Sequence, residues 1–184
     1  MFAQVNHDFI KPIEDWTIFR GGLRYAYDSD GVTISYYNID NYDLFKSLHS
    51  HDNLLPIKPD WVEMGVVTGS GKLKPHRDHG TTVSLNYYIK TADQDTTSFY
   101  YPKIGAQPQK YPGKDVSNIY SYDDIEMPPY ASFVAKPGCA YVFQTSNIHD
   151  VDKKSTEDRV IICYQWSTKS YFQILKSLKD NDKE

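Results

Sequence analysis

The segment "VSLNYYI", residues 83–89, alternates strictly: Val83, Leu85, Tyr87 and Ile89 on one side, Ser84, Asn86 and Tyr88 on the other. A period of two belongs to a β-strand, whose successive side chains point to opposite faces. "RVIICYQW", residues 159–166, repeats the pattern, with Val160, Ile162, Tyr164 and Trp166 opposed to Arg159, Ile161, Cys163 and Gln165. Further strands are predicted at "WVEMGVVT", "TTSFYY", "YASFVAK" and "CAYVFQT", punctuated by turn signals such as Gly69-Ser70-Gly71 and Pro137-Gly138. Upstream, "LRYAYDSDGVTISYYNI" predicts two strands around Asp28-Ser29-Asp30-Gly31, a sequence suited to a hairpin turn. Helical spacing occurs at "NYDLFKSLHSH", where Leu44, Phe45 and Leu48 follow a cap at Asp40 or Asn41, and in the closing "SYFQILKSLK". Many short strands with regular turns predict an antiparallel sandwich or barrel rather than alternating β-α-β units. The longest stretch without periodicity, residues 102–124, is expected to border a functional site.

Composition adds little that changes this picture. The 184 residues suit one domain, with 16 Tyr, 8 Phe and 3 Trp supplying strand-forming bulk. A net charge of −4 disfavours a broad polyanion-binding surface, so nucleic acid is not the expected partner. No segment approaches the roughly 20 apolar residues of a membrane helix. The N-terminus "MFAQVNHDFIKPIEDW" lacks the pattern of a secretory signal, and two cysteines cannot make a disulfide framework. A cytoplasmic protein with reduced Cys139 and Cys163 is the expectation.

Candidate chemistry begins at "KLKPHRDHG", which places His76 and Asp78 one residue apart. Alone the pair means little: with 6 His and 24 acids, about 0.8 such pairs arise by chance. In an extended chain, however, both side chains share a face while Arg77 and His79 point away. If the strands are neighbours, Arg159 enters the same interior. His49 and His51 lie two apart on the expected helix and make poor joint ligands. His7 has no assignable role, and His149 follows an aromatic strand and precedes an acidic stretch.

Taken in order, a His-x-Asp near a strand, a distant histidine after a Pro-Gly turn and an aromatic strand, and an arginine opening the last strand resemble the iron(II)- and 2-oxoglutarate-dependent dioxygenases. The portion "AKPGCAYVFQTSNIHDVDKKSTEDRVIICYQW" is especially similar to that family's C-terminal core. The resemblance implies a mainly β fold, a double-stranded β-helix (a cupin-like jelly roll) with flanking helices. Its core strands would occupy about 61–166, with a flanking region over 1–60 and a closing helix over about 167–180. It implies that His76, Asp78 and His149 are the metal ligands and that Arg159 binds the distal carboxylate of 2-oxoglutarate. Either Asn86 or Tyr88 would add a further co-substrate contact. Fe(II), 2-oxoglutarate and dioxygen would be the cofactor and co-substrates.

Two imidazoles and one carboxylate occupy one face of an octahedral ion and leave three positions for a 2-oxo acid and dioxygen. Charges balance, since ferrous iron with Asp78 carries +1, the 2-oxoglutarate dianion takes the sum to −1, and Arg159 restores neutrality. A guanidinium also meets a carboxylate with two parallel hydrogen bonds, which an ammonium cannot. The expected reaction hydroxylates a C–H bond of a peptidyl or amino-acid substrate, prolyl among the candidates, or of a small molecule, releasing succinate and carbon dioxide. Nucleic-acid demethylation, a catalytically silent binding module and a metallohydrolase are the alternatives. Nothing in the chain signals its oligomeric state.

Overall fold

A computed structural model of the protein describes residues 1–5, 15–41, 55–110 and 117–181. The helix expected at 41–51 falls almost wholly outside them, as do His7, His49 and His51. Thirteen strands are described: β1 (Phe2–Val5), β2 (Arg20–Ser29), β3 (Val32–Ile39), β4 (Trp61–Gly69), β5 (Gly71–Asp78), β6 (Val83–Lys90) and β7 (Thr96–Tyr100). They continue with β8 (Gln109–Lys110), β9 (Ser117–Ile119), β10 (Ala131–Val134), β11 (Ala140–Gln144), β12 (Ile148–Lys153) and β13 (Arg159–Trp166), and helix α1 (Tyr171–Asn181) closes the described chain.

One sheet runs β1-β11-β6-β13-β4-β3-β2 and the other β10-β7-β12-β5-β9-β8. All the pairings are antiparallel. At the centre are two four-stranded sheets, β11-β6-β13-β4 facing β10-β7-β12-β5, between which the chain passes repeatedly. That order is the double-stranded β-helix. The β2–β3 hairpin and β1 widen the first sheet, and β8–β9 widen the second. The hairpin turn has Asp30 at φ 43° and Gly31 at φ 86°, the paired left-handed conformations of a tight two-residue turn. Its carbonyls press on the β4–β5 turn so closely that a Cβ on Gly69 would lie 2.2 Å from the Gly31 oxygen, and one on Gly71 2.0 Å from that of Asp30. Only glycine fits there.

The alternation in β6 and β13 resolves into two apolar layers. Val83, Leu85, Tyr87, Val160, Ile162, Tyr164 and Trp166 face outward and are covered by Phe19 and by Tyr171, Ile174 and Leu178 of α1. Tyr88, Ile161 and Cys163 face inward, toward Leu73, Phe99, Phe133, Tyr141 and Phe143. With both faces covered, all eight residues of β13 are buried. The helix starts at Tyr171 because Ser170 caps it: Ser170 Oγ accepts from Gln173 N (3.2 Å) and Gln173 Oε1 from Ser170 N (2.9 Å), a reciprocal capping box. No helix among the described residues is long and apolar enough to cross a membrane.

Candidate metal centre

His76 on β5 and His149 on β12 stand directly opposite each other, and Asp78 follows two residues along β5. β5 contains one extra residue against β12, between Leu73 and His76. This bulge lets Leu73 pack inward while His76 and Asp78 also face the space between the sheets; Pro75, which has no N–H to give a ladder, is tolerated there. Ser29 Oγ mends the edge, donating to the Lys72 carbonyl and accepting from Lys74 N, both at 3.2 Å.

One ligand atom from each of His76, Asp78 and His149 lies within 4.8 Å of the others, a set that could hold a metal ion. Asp78 Oδ1 is 3.4 Å from His76 Nε2 and 3.8 Å from His149 Nε2. Each histidine has its other nitrogen on a main-chain carbonyl, His76 Nδ1 on Lys74 (2.8 Å) and His149 Nδ1 on Asn147 (3.0 Å). Those contacts select the tautomer that leaves Nε2 with a free lone pair, the outer-shell arrangement usual for ligating imidazoles. Both rings are buried, at 4% and 5% exposure, whereas the Asp78 side chain keeps 30%. Phe99 and Phe143 flank His149 at ring separations of 6.0 and 5.6 Å.

Burial and the charge of His76 push the His149 pKa down to about 4. Burial also opposes charge on His76, but the hydrogen bond and charge of Asp78 outweigh it and the pKa ends above its ordinary value. Burial raises Asp78 too, and the two imidazoles more than reverse it, so that carboxyl ends below its ordinary range. The trio is therefore arranged around an anionic carboxylate, as a cation site requires.

Arg159 opens β13 at 1% exposure. Its Nη2 donates to Tyr88 Oη (3.0 Å) and Thr97 Oγ1 (2.9 Å), and its guanidinium lies 4.8 Å from the Tyr88 ring centroid. Its Nε and Nη1 are buried without a hydrogen-bond partner. A dry guanidinium with two orphaned donors suits an anionic ligand, since leaving such groups unmet is costly. The structure thus brings Tyr88 to Arg159. Asn86 does not join them; it accepts from Ser84 Oγ at 2.6 Å. Cys163 packs with the inward layer.

The stretch 102–124 contributes β9, which pairs Ile119 with His76 and Ser117 with Asp78. A 3-10 turn over Tyr122–Asp124 then sends Tyr122 Oη to Asp150 Oδ2 (2.8 Å), which Tyr100 Oη also meets (2.9 Å). The segment is thereby stitched to both ligand-bearing strands. The sequence also held a signal that went unused: Glu63, a lone acid inside the apolar run "WVEMGVV". It is 1% exposed and faces inward with Arg24, Tyr25 and Gln165 around it.

No protein-family model matches the chain, and no curated protein matches it. Among solved structures, vicilin from Capsicum annuum is similar over 82% of this chain and 31% of its own, at 10% identity and a TM-score of 0.41. Oxalate decarboxylase from Bacillus subtilis, described with Mn(II) centres, is similar over 80% and 29%, at 11% identity and a TM-score of 0.38. An oxidoreductase of the 2OG-Fe(II) oxygenase family from Burkholderia pseudomallei is similar over 78% and 71%, at 9% identity and a TM-score of 0.43. The chain spans less than a third of the vicilin and decarboxylase chains that it matches. At such identities and scores, it is the strand order described above that defines the fold.

Proposed function

We propose that the chain is an Fe(II)- and 2-oxoglutarate-dependent dioxygenase that hydroxylates a C–H bond of a peptidyl or amino-acid substrate, prolyl among the candidates, or of a small molecule. The observation that carries this reading is a buried arginine with two unmet donors, set in the same inter-sheet space as a His-Asp-His group. A metallohydrolase would have no use for that cation, and a silent binding module that had merely kept the fold would be expected to have lost at least one of the four side chains.

His76, Asp78 and His149 would hold the metal through Nε2, a carboxylate oxygen and Nε2. Bound ferrous iron would supply the activation of dioxygen, coupled to conversion of 2-oxoglutarate to succinate and carbon dioxide. The chain's own residues do the positioning. The Lys74 and Asn147 carbonyls fix the tautomers of the two imidazoles. Arg159, oriented by Tyr88 and Thr97, would meet the distal carboxylate with Nε and Nη1. Phe99 and Phe143 keep water from the His149 side, and a dry site strengthens each charge interaction.

Anaerobic addition of ferrous iron and 2-oxoglutarate is expected to produce the visible charge-transfer absorption of the chelate, and admitting oxygen should then yield succinate. His76→Ala and Asp78→Ala should abolish both signals. Arg159→Ala should weaken 2-oxoglutarate binding by about 2–3 kcal/mol, roughly 30- to 140-fold, for lost charged hydrogen bonds. Unchanged affinity would remove Arg159 from the site, and a protein that binds metal but shows neither band nor succinate would not be an oxygenase.

A further inference from the structure

Beyond Asp78 the inter-sheet space turns polar, in groups that the metal and 2-oxoglutarate do not use. Glu63 stands opposite Cys163 across the β4–β13 ladder and so shares its inward face. Its Oε2 accepts from Arg24 Nη1 at 2.8 Å, and its Oε1 from Tyr25 Oη at 3.1 Å and Gln165 Nε2 at 2.7 Å. A carboxylate with three donors is a holding group rather than a receptor. What it holds is Arg24, whose side chain is 40% exposed at the rim.

Consecutive strand residues should point to opposite faces, yet Arg24 and Tyr25 converge on one carboxylate. The register explains it: Leu23 pairs with Tyr37 and Tyr25 with Tyr36, two steps on β2 against one on β3. This bulge re-aims Arg24, as bulges beside functional sites often do. The grip engages Nη1, and among the described residues no side chain bonds the Nε–Nη2 edge, which is the side-on fork that matches a carboxylate. Next to it the rings of Tyr25 and Tyr36 stack at 4.7 Å, and those of Tyr36 and Tyr27 at 6.4 Å. Tyr36 and Tyr27 in turn pack against the inward layer that contains Leu73, Cys163 and Phe99, and Phe99 lies 6.0 Å from the His149 ring, so the aromatic ladder runs from Arg24 into the inter-sheet space.

We propose that Arg24 anchors the carboxylate of the prime substrate, a small carboxylic acid whose flat or apolar body lies along Tyr25, Tyr36 and Tyr27. Naming the occupant as prime substrate rests on the oxygenase reading; the acid-binding subsite does not. The choice favours a free amino-acid derivative or similar small acid over an internal residue of a peptide, whose own main chain carries no free carboxylate.

The test is isothermal titration of the protein with benzoate, N-acetyl-L-proline and N-acetyl-L-leucine, each compared with its carboxamide. At least one acid should bind saturably and its carboxamide roughly 10- to 100-fold more weakly, the range for losing a charged pair. Arg24→Gln, which keeps a side-chain donor for Glu63, should erase that preference, with Arg24→Lys, which keeps the charge without the fork, retaining part of it in a protein of wild-type melting temperature. Glu63→Gln should reduce it, and Arg159→Gln should keep it. A preference that survives Arg24→Gln, or that disappears with Arg159→Gln instead, overturns the assignment. So does a wild-type protein that binds none of the acids. The chelate absorption of the wild type tests the oxygenase reading separately: a protein with the band that ignores every acid refutes this inference alone.

Discussion

His149 lies between two phenylalanines and against a second imidazole, so its neutral form is the one that the fold favours. With its pKa held at about 4, below the ordinary 6.5, the unfolded chain takes up a proton first as pH falls. Stability is therefore lost between about pH 6.5 and 4, by about 3 kcal/mol at 1.36 kcal/mol per decade. His76 runs the other way: its raised pKa gives stability that is complete below 6.5 and fades as pH climbs through the folded value. The depressed Asp78 adds stability that is lost only well into acid. Metal-free protein should have its highest urea midpoint near neutrality, with a decline from pH 6.5 to 4.5 that His149→Gln flattens. An equal decline in that variant would place the acid sensitivity elsewhere. The order of His76, Asp78, His149 and Arg159 along the chain singled them out, and the fold gathers the first three and buries the fourth. Arg24 was not singled out, because a bulge, which leaves no mark in the alternation, decides where it points.

Strands β6 and β13 were readable in full, since each alternates without a break and both of its faces are covered. Strands β5 and β12 were not. β5 carries Lys72, Lys74 and Pro75 and shifts its inward side at the bulge, so no period of two survives. β12 reads "IHDVDK", whose outward acids look like loop until Tyr100, Tyr122 and Lys72 are seen to meet them. The closing helix was placed within a few residues, its true start fixed by the Ser170–Gln173 box. The outward layer it covers can be tested at Ile162, which is 0% exposed in the middle of β13. Ile162→Ala should cost about 2–5 kcal/mol in urea unfolding, the range for deleting a packed aliphatic side chain. A loss below about 1 kcal/mol would mean that α1 does not pack there as described.

For the molecule as a whole, the strand order does something that no local segment reveals: it seats residues 76–78 and 149 on adjacent strands of the six-stranded sheet. An ion bound there would clasp two distant parts of the chain in the native state only. At about 100 times its dissociation constant, such an ion adds about 2.7 kcal/mol, or about 5–10 °C in thermal midpoint for a chain of this size. Differential scanning fluorimetry with Mn(II), or anaerobically with Fe(II), should show that rise. A chelator should reverse it, and Asp78→Ala should lack it. An equal rise in that variant would locate the ion elsewhere.

The unmet donors of Arg159 carry a lesson about descent. A buried guanidinium with unmet donors weakens the resting protein, and an apolar side chain of similar length would serve packing better. Among sister chains of this type, those released from the need to turn over substrate should drift away from arginine at that position. The residue found at the start of the last strand would then tell living catalysts from retired ones before any assay is run.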